Sequence, residues 1–442
     1  MLSFRSSFDI IGPEMIGPSS SHTAGAAKIG LLAKNEIKGD ILSVVFTLYG
    51  SFAATYRGHG TDRALLGGIL GFEPNDARIK DAYAHADKKS LKYNFIADHE
   101  TQAPHPNTVD ILLVTKDDKI NVRGISTGGG SAELVNFGEE FNPAATTETR
   151  GFHPFDFTNG AELLKLCKKH NMSISQIMFK REAELFNTNS KEINEKMQNV
   201  YTTMKNSVKQ AFVAVPKTLG GLIGGEAIKM DERTAKNKPI CGEFMAKAVK
   251  YAMGVIEISS TMGLMVACPT AGSSGVVPGA FLALQEEFEL HDEQITLALF
   301  NAAAIGHIIT ENASVSGAVA GCQAEVGSAS AMAAAAICEV FGAPAEVSLT
   351  AASIALSNLL GLVCDPVAGL VEEPCQKRNA IGVSNALISA EIALAGVGCP
   401  APFDEMVEIM MKVGQSMPDE LRETARGGMA IAPTVLAKFS EI

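Results

Sequence analysis

The sequence predicts a multidomain protein in which an N-terminal α/β domain is followed by a larger, mostly α-helical domain. Three observations predict this fold class. The chain has 442 residues, which exceeds the length at which a single hydrophobic core stops growing. Runs with the composition of β-strands are confined to residues 1–150. Beyond residue 160, apolar side chains recur at helical spacing and strand-like alternation is almost absent.

The first domain, residues 1–150, contains the strand signals. Residues 40–48 are rich in β-branched and aromatic side chains, and residues 53–68 have helical composition. Residues 109–114 and 119–125 flank an Asp-Asp pair, which predicts a β-hairpin, and a cluster of three glycines closes its second strand. A stretch without periodicity at residues 137–159 contains Pro and Thr, and we predict that it is the linker.

The second domain, residues 160–442, is predicted to be mostly helical. Residues 193–212 carry apolar side chains at helical spacing. Ala-rich segments separated by Gly, Ser and Pro then predict helices at 246–257, 295–310, 329–340, 351–362, 383–395 and 406–416.

Composition excludes several classes of protein. Lys and Arg total 37 against 49 Asp and Glu, and the formal net charge of −12 argues against a nucleic-acid partner. Asp9 and Glu14 lie where a signal peptide would have its apolar core, so we expect a cytoplasmic protein. Uncharged runs at 258–285 and 347–364 are interrupted by polar residues or proline, and we expect buried helices and loops there rather than membrane spans.

Three cysteines are candidate metal ligands. Cys322 follows a glycine, and Cys364 and Cys375 lie in a proline-containing loop where the backbone can wrap a metal centre. Thiolates suit zinc or iron–sulfur clusters. The spacing matches no short metal motif, so the alternative is that these cysteines are small buried side chains. Cys268, at the start of another loop, is the strongest further candidate ligand, and Cys338 ends an Ala-rich helical run typical of core.

Two loops rich in Gly, Ser and Thr precede helical segments, at residues 17–25 and 270–275. Backbone N–H groups and hydroxyls at a helix start can bind a carboxylate or a phosphate. Neither loop has a nucleotide-binding pattern, and ordinary helix capping is the alternative. The candidate substrate-binding residues in these loops are Ser19, Ser20, Ser21, His22, Thr23, Thr270, Gly272 and Ser273.

Two further histidines are candidates for a general base. His59 lies between two glycines that allow the backbone to approach a ligand, and Asp62 could orient its ring. His105 lies in a proline-bounded loop together with Asn107, a further candidate substrate-binding residue. The alternative for each is a solvated loop side chain.

Seven motifs together resemble the bacterial iron–sulfur L-serine dehydratases. The β part of that family is similar to GPSSSHTAGAAKIG (17–30), YGSFAATYRGHGTD (49–62) and PHPNT (104–108). The α part is similar to CPTAGSSGVVPG (268–279), NASVSGAVAGCQAEVGSASAMAAAA (312–336), CDPVAGLVEEPCQKRNAIG (364–382) and ETARGGMAIAPT (423–434). The resemblance covers nearly the whole chain.

The resemblance implies an L-serine ammonia-lyase that forms pyruvate and ammonia without pyridoxal phosphate. It implies a [4Fe-4S] cluster held by Cys322, Cys364 and Cys375 at the interface of the two domains, with one iron open to substrate. It also implies that His59 is the general base, that His105 lies near the active site, and that the protein is a homodimer. Cys268 is not required as a ligand. The Ser/Thr loops would hold the substrate carboxylate, with Arg378 as a second anchor.

Two departures from the family carry their own expectations. Only a short linker follows the β part, so we expect no ACT regulatory module. No cysteine follows Cys399, so we expect water, hydroxide or a small anion on the open iron at rest. Two alternatives remain at this point: an iron–sulfur L-cysteine desulfidase, and a non-catalytic protein with a structural metal site, which would normally be closed by four protein ligands.

Overall fold

The structure, a computed structural model, describes residues 5–135 and 153–439. They form an N-terminal region built on a mixed β-sheet, followed by a large helical region, which confirms the predicted fold class. Residues 137–152 of the predicted linker lie outside the described residues, and residues 153–159 are a loop. The helices of the first region are α1 (Ser7–Ile10), α2 (Gly25–Asn35), α3 (Gly50–Thr55), α4 (Thr61–Ile69) and α5 (Ala82–Lys88). Its strands are β1 (Glu14–Ile16), β2 (Ser43–Tyr49), β3 (Lys92–Asp98), β4 (Thr108–Val114), β5 (Lys119–Gly128) and β6 (Ser131–Val135).

A five-stranded sheet of order β3-β2-β4-β5-β6 forms the base of this region. β3 pairs with β2 in parallel, and the other pairs are antiparallel. The predicted hairpin is β4–β5. Alternate residues of β2 and β4 are buried on the same face, because side chains alternate along a strand. Their register pairs Val44 with Leu113, Phe46 with Ile111 and Leu48 with Val109.

Helices α2 and α4 pack closely against each other next to this apolar face. Gly30 of α2 and Gly68 of α4 lie at the contact, where a Cβ on Gly30 would lie 3.1 Å from the Cα of Gly68. Close approach of two helices requires such small residues, because the ridges of larger side chains would hold the axes apart. The glycine pair therefore fixes the distance between the helix that follows the first Ser/Thr loop and the helix that follows the His59 turn.

Gly68→Ala is expected to lower the stability of the protein by about 1–3 kcal/mol. The added methyl group would overlap the backbone carbonyl oxygen of Ala27, which cannot move without displacing α2. This overlap outweighs the gain in helix propensity of about 1 kcal/mol. The thermal unfolding midpoint, followed by circular dichroism, should fall by about 2 °C or more. Gly398→Ala is the control, because its Cβ would meet no atom within 4 Å. Equal midpoints for the two variants would contradict the prediction.

The helix predicted at residues 53–68 is interrupted in the structure. α3 ends at Thr55, α4 begins at Thr61, and a turn separates them. Gly60 has a φ of +63°, a left-handed conformation that glycine adopts readily. A Cβ on Gly58 would overlap the carbonyl oxygen of Gly369 from the helical region. The two glycines thus break the helix and bring the residue between them, His59, against the other region.

The N-terminal segment ties the two regions together. β1 pairs antiparallel with β7 (Leu264–Val266), a short strand in the part of the chain where strands were not predicted. Phe8 and Ile10 of α1 belong to the hydrophobic core of the helical region. The contact between the two regions is therefore maintained by a strand pair and by apolar packing, as well as by the contacts around the candidate site.

The helical region contains a helix at each of the seven segments predicted to be helical. The bounds differ most at two of them. The helix predicted at 351–362 spans 345–358, and the helix predicted at 383–395 begins at Cys375, because its first turns are polar and lack an apolar periodicity. The helices are α6 (Gly160–His170), α7 (Ile174–Leu185), α8 (Ser190–Gln210), α9 (Glu226–Lys236), α10 (Glu243–Ser260), α11 (Val276–Glu287), α12 (Asp292–Asn312), α13 (Gly317–Ala320), α14 (Ser328–Val340), α15 (Ala345–Asn358), α16 (Cys375–Leu394), α17 (Phe403–Ser416) and α18 (Pro433–Phe439).

The core of this region is built from small residues. α12 and α14 pack against each other, and alanines such as Ala303 and Ala334 are fully buried. Alanine favours helix formation and allows neighbouring helices to approach. In the ranges 5–135 and 153–439, no helix is both long enough and apolar enough to cross a membrane.

Candidate active site

A small cavity lies where the two regions meet. The N-terminal region contributes Ser19 and His59 to its wall. The helical region contributes the remaining residues of the wall, which are Gly272, Glu325, Cys364, Pro366, Val371, Cys375 and Glu423. The cavity thus brings together residues from both Ser/Thr loops, the candidate base and two of the three candidate cysteines.

His59 is buried at the cavity wall with a side chain that makes no hydrogen bond. The residue is 1% exposed, and neither ring nitrogen has a hydrogen-bond partner among the described residues. Burial lowers the pKa of His59 to about 3. The ring is therefore neutral at physiological pH and has a nitrogen lone pair available. Since buried polar groups are normally hydrogen-bonded, the unpaired ring indicates that a ligand completes this site.

The first Ser/Thr loop positions His59. Its residues 20–24 form a π-helical turn ahead of α2 and are buried, Ser20 included. Thr23 Oγ1 donates a hydrogen bond of 2.7 Å to the His59 carbonyl oxygen, which fixes the backbone of the turn between α3 and α4. Ser19 Oγ accepts a hydrogen bond of 3.1 Å from the His22 backbone N–H. Short π-helical turns are frequent at functional sites.

His22 forms the layer behind His59. Its Nδ1 lies 2.8 Å from Ser21 Oγ, and its Nε2 lies 2.9 Å from Ser51 Oγ. The two imidazole rings are in contact, with centroids 4.5 Å apart. Burial and the proximity of His59 lower the pKa of His22. Because both nitrogens of His22 are hydrogen-bonded, this histidine supports the site, whereas His59 faces it.

The second Ser/Thr loop is held rigidly by side chains from other elements. Thr270 Oγ1 donates to Glu325 Oε1 at 2.9 Å, and Ser273 Oγ donates to the Cys268 carbonyl oxygen at 3.1 Å. Asn379 of α16 accepts a hydrogen bond from Gly275 N–H at 3.0 Å and donates one to the Gly272 carbonyl oxygen at 2.7 Å. This loop therefore presents a fixed backbone surface to the cavity at Gly272.

The three candidate cysteines come from two parts of the helical region, the segment of Cys322 and the loop that leads from Cys364 to Cys375. All three are buried, and none forms a disulfide. One ligand atom each from Cys322, Cys364 and Glu325 lie within 4.8 Å of one another. Cys375 lies in the wall of the same cavity as Cys364. Segments far apart in the sequence have thus been folded into one thiol-rich site.

These cysteines fit a thiolate-bound iron–sulfur cluster. A hydrogen bond with Cys322 and burial raise the pKa of Cys364, and burial raises that of Cys375, so a bound cation is needed to favour the thiolates. A Cβ on Gly317 would lie 3.1 Å from Cys364 Sγ, which shows that this glycine keeps space free beside the sulfur. Cys268 is fully buried and does not line the cavity, and the expectation that it is not required as a ligand stays a prediction.

Arg378 lies next to the cysteines and is already engaged by protein groups. Its Nη1 donates to the Val363 carbonyl oxygen at 2.7 Å and lies 3.6 Å from Cys322 Sγ, and its Nη2 lies 2.7 Å from Asp365 Oδ1. Its predicted role as an anchor for the substrate carboxylate stays a prediction. The contacts in the structure are those of a residue that supports Cys322 from behind.

His105 and Asn107 lie on the outer side of the site. His105 lines a larger neighbouring cavity together with Ser51, Arg422 and Arg426, and its Nδ1 accepts a hydrogen bond of 3.1 Å from the Asn107 backbone N–H. Burial lowers the pKa of His105. The Asn107 side-chain amide is fully buried and has no hydrogen-bond partner within the part of the chain that the structure describes.

Two acidic residues of the cavity were missed by the sequence reasoning. Burial raises the pKa of Glu325 to about 7, and burial together with the nearby Glu325 raises the pKa of Glu423. Both lie inside motifs that carried the resemblance. Glu325 follows Cys322 by three residues, a spacing that puts two side chains on one side of a helical turn and could have indicated it. No spacing pattern marks Glu423.

Comparisons with known proteins find relatives for both regions of the chain. The family profile described as serine dehydratase beta chain matches residues 6–133, and that described as serine dehydratase alpha chain matches residues 169–430. The chain is 33% identical to L-serine dehydratase TdcG of Escherichia coli (strain K12), over 96% of this chain and 98% of that protein. It is 32% identical to L-serine dehydratase of Helicobacter pylori (strain ATCC 700392 / 26695), over 94% of this chain and 96% of that protein. It is 45% identical to the probable L-serine dehydratase, alpha chain, of Bacillus subtilis (strain 168), over 63% of this chain and 92% of that protein.

Proposed function

Because the chain belongs to the serine dehydratase family, with the beta-chain and alpha-chain regions fused in one polypeptide, we propose that the cavity between those regions is where it converts L-serine to pyruvate and ammonia. The protein is an L-serine dehydratase, a lyase. The observation that carries the proposed site is the buried, unpaired imidazole of His59 in the same cavity as Cys364 and Cys375.

The proposed cofactor is a [4Fe-4S] cluster held by Cys322, Cys364 and Cys375. When bound, the cluster supplies an electrophilic iron, a Lewis acid that favours departure of the β-hydroxyl group of serine. Arg378 would stabilise the negative charge of the Cys322 thiolate through its Nη1, since groups behind a metal ligand tune that ligand.

His59 is the proposed general base for the α-proton of serine. Its neutral ring can accept this proton at Nε2, and Thr23 holds the backbone of its turn in place. Contact with the His22 ring limits rotation of the imidazole. The His59 side chain is buried, so bulk water has little access to the proton that its ring accepts.

The two Ser/Thr loops are the proposed site for the substrate carboxylate. Ser19 and Gly272 reach the cavity wall from opposite regions of the protein. Hydroxyl and backbone N–H groups there can donate hydrogen bonds to a carboxylate. Loss of the α-proton and of the hydroxyl group leaves aminoacrylate, which tautomerises and hydrolyses to pyruvate and ammonia. The predicted homodimer and the small ligand on the open iron at rest remain proposals.

Pyruvate release from L-serine by anaerobically purified, iron-reconstituted protein tests this function. We expect pyruvate and ammonia in equal amounts, and we expect activity to disappear in air together with the absorbance of the cluster. L-cysteine is the comparison substrate. Sulfide release from L-cysteine without turnover of L-serine would move the assignment to a desulfidase, and a stable cluster with no turnover of either compound would contradict the proposed reaction.

A further inference from the structure

The cavity holds two buried carboxyl groups close to the candidate base. Glu325 and Glu423 both line it, together with Cys364 and Cys375. Within the ranges that the structure describes, no lysine or arginine forms an ion pair with Glu423. The imidazoles of His22 and His59 lie 3.8 Å from its Oε1, and burial lowers the pKa of both, which favours their neutral forms. Burial of a carboxylate without a cationic partner is unfavourable. The site therefore favours a ligand that brings a positive charge with it.

The two carboxylates differ in what they contact. Glu325 Oε1 accepts a hydrogen bond of 2.9 Å from Thr270, and the side chain lies beside Cys322. Glu423 Oε1 lies 3.8 Å from His22 Nδ1 and 3.8 Å from His59 Nε2. These distances exceed those of hydrogen bonds, so Glu423 does not orient His59 in the way that a catalytic-triad carboxylate orients its histidine. Its oxygen remains able to accept a hydrogen bond from a ligand in the cavity.

The backbone of Glu423 is fixed from both regions of the protein. Its N–H donates to the Cys364 carbonyl oxygen at 2.8 Å, and its carbonyl oxygen accepts a hydrogen bond of 3.1 Å from Ser51 Oγ. The side chain is therefore presented at a defined place between a candidate cluster ligand and the candidate base. The unpaired ring of His59, 1% exposed and facing the same cavity, independently indicates that a ligand occupies the space beside it.

We propose that Glu423 binds the α-ammonium group of the amino-acid substrate, and that this contact selects amino acids over hydroxy acids of the same shape. The inference rests on the proposed function, because it assumes that L-serine reacts in this cavity. The ammonium nitrogen and the α-hydrogen are both attached to the α-carbon, and the N–Cα bond is about 1.5 Å long. Two acceptors 3.8 Å apart can therefore serve the ammonium group and the α-hydrogen of one molecule.

Glu423→Gln tests the inference through a pair of ligands that do not react. L-alanine and L-lactate both lack the β-hydroxyl group and differ in having an ammonium or a hydroxyl group on the α-carbon. Their dissociation constants would be measured by calorimetry on anaerobic, cluster-loaded protein. We expect Glu423→Gln to weaken L-alanine binding by about tenfold or more, the effect of losing a hydrogen bond between charged groups. L-lactate binding should change by less than about threefold or become tighter.

Matched controls separate this role from a structural one. Glu325→Gln alters the other carboxylate of the cavity, and we expect it to keep the wild-type preference for L-alanine. If Glu423→Gln does not fold or does not retain its cluster, Glu423→Asp replaces it; this variant keeps the charge and should keep the preference for L-alanine. Equal weakening of both ligands in Glu423→Gln, or loss of the preference in Glu423→Asp, would overturn the inference. Absence of pyruvate with the wild-type protein would instead overturn the proposed function.

Discussion

Replacing Cys364 with serine is expected to remove the absorbance of the iron–sulfur cluster and to lower kcat for pyruvate release by at least about a thousandfold. Cys364 lies in the cavity wall and shares a group of close ligand atoms with Cys322 and Glu325. A serine hydroxyl at this position would be a poor replacement for a thiolate, because iron–sulfur clusters are held by sulfur ligands. Iron content per chain, the visible spectrum and kcat would be measured on the same reconstituted sample.

Cys338→Ser is the matched control for this prediction. Cys338 is as deeply buried as Cys364, but it lies in α14, where its Sγ contacts the Ala390 carbonyl oxygen at 3.8 Å. We expect this variant to keep its iron and to have a kcat within about threefold of the wild-type value, since a buried cysteine normally acts as a small core residue. A full cluster in Cys364→Ser, or loss of the cluster in folded Cys338→Ser, would contradict the proposed ligand set.

The strands that the sequence predicted are those with an alternating pattern of buried residues or with a partner close along the chain. Strand β2 and the β4–β5 hairpin were predicted because their inward residues alternate and the hairpin partners are close in sequence. Strand β3 was missed. It lies at the edge of the sheet, its outward side chains such as Lys92 and Asn94 are polar, and its pairing with β2 is parallel. A parallel edge strand has no local turn to mark it, so its pairing appears only in the folded chain.

For the site as well, the sequence predicted the residues but not how they are arranged in space. The motifs supplied the side chains, and the structure places Ser19, His59 and Gly272 in one wall with Cys364 and Cys375. The motifs did not predict which of their residues contact each other in the folded protein. The hydrogen bond from Ser51 to the Glu423 carbonyl oxygen joins residues 372 positions apart. Such a contact depends on the docking of two regions, and no periodicity or spacing in the sequence records it.

His59→Gln is expected to lower kcat for L-serine by about a hundredfold to ten-thousandfold while the cluster remains bound. Glutamine fills much of the same space but cannot act as a base at Nε2. The cluster should persist because His59 makes no hydrogen bond to a cysteine among the described residues. His307→Gln is the control. His307 is a fully buried histidine in α12 whose Nε2 lies 3.1 Å from the Phe157 carbonyl oxygen, and it does not line the cavity. Full activity of His59→Gln would contradict the assignment of the base.

The same substitution is expected to make the protein more resistant to acid. Burial lowers the pKa of His59 from its ordinary value of 6.5 to about 3 in the folded state. Between these two pH values the unfolded chain binds a proton that the folded protein does not, so the free energy of unfolding falls as the pH drops below 6.5. The loss is roughly 1.4 kcal/mol per pH unit for this residue. Between pH 7.5 and 5.5, urea unfolding should show His59→Gln losing about 1 kcal/mol less stability than the wild type.

This difference follows from the role proposed for His59. A base that is buried without a hydrogen-bond partner keeps its lone pair for the substrate, and the folded state is less stable in acid for the same reason. A wild-type protein that loses no more stability in acid than His59→Gln would show that the imidazole has a partner in the folded protein. In that case the ring would be a structural element of the cavity, and the base would have to be sought among its other residues.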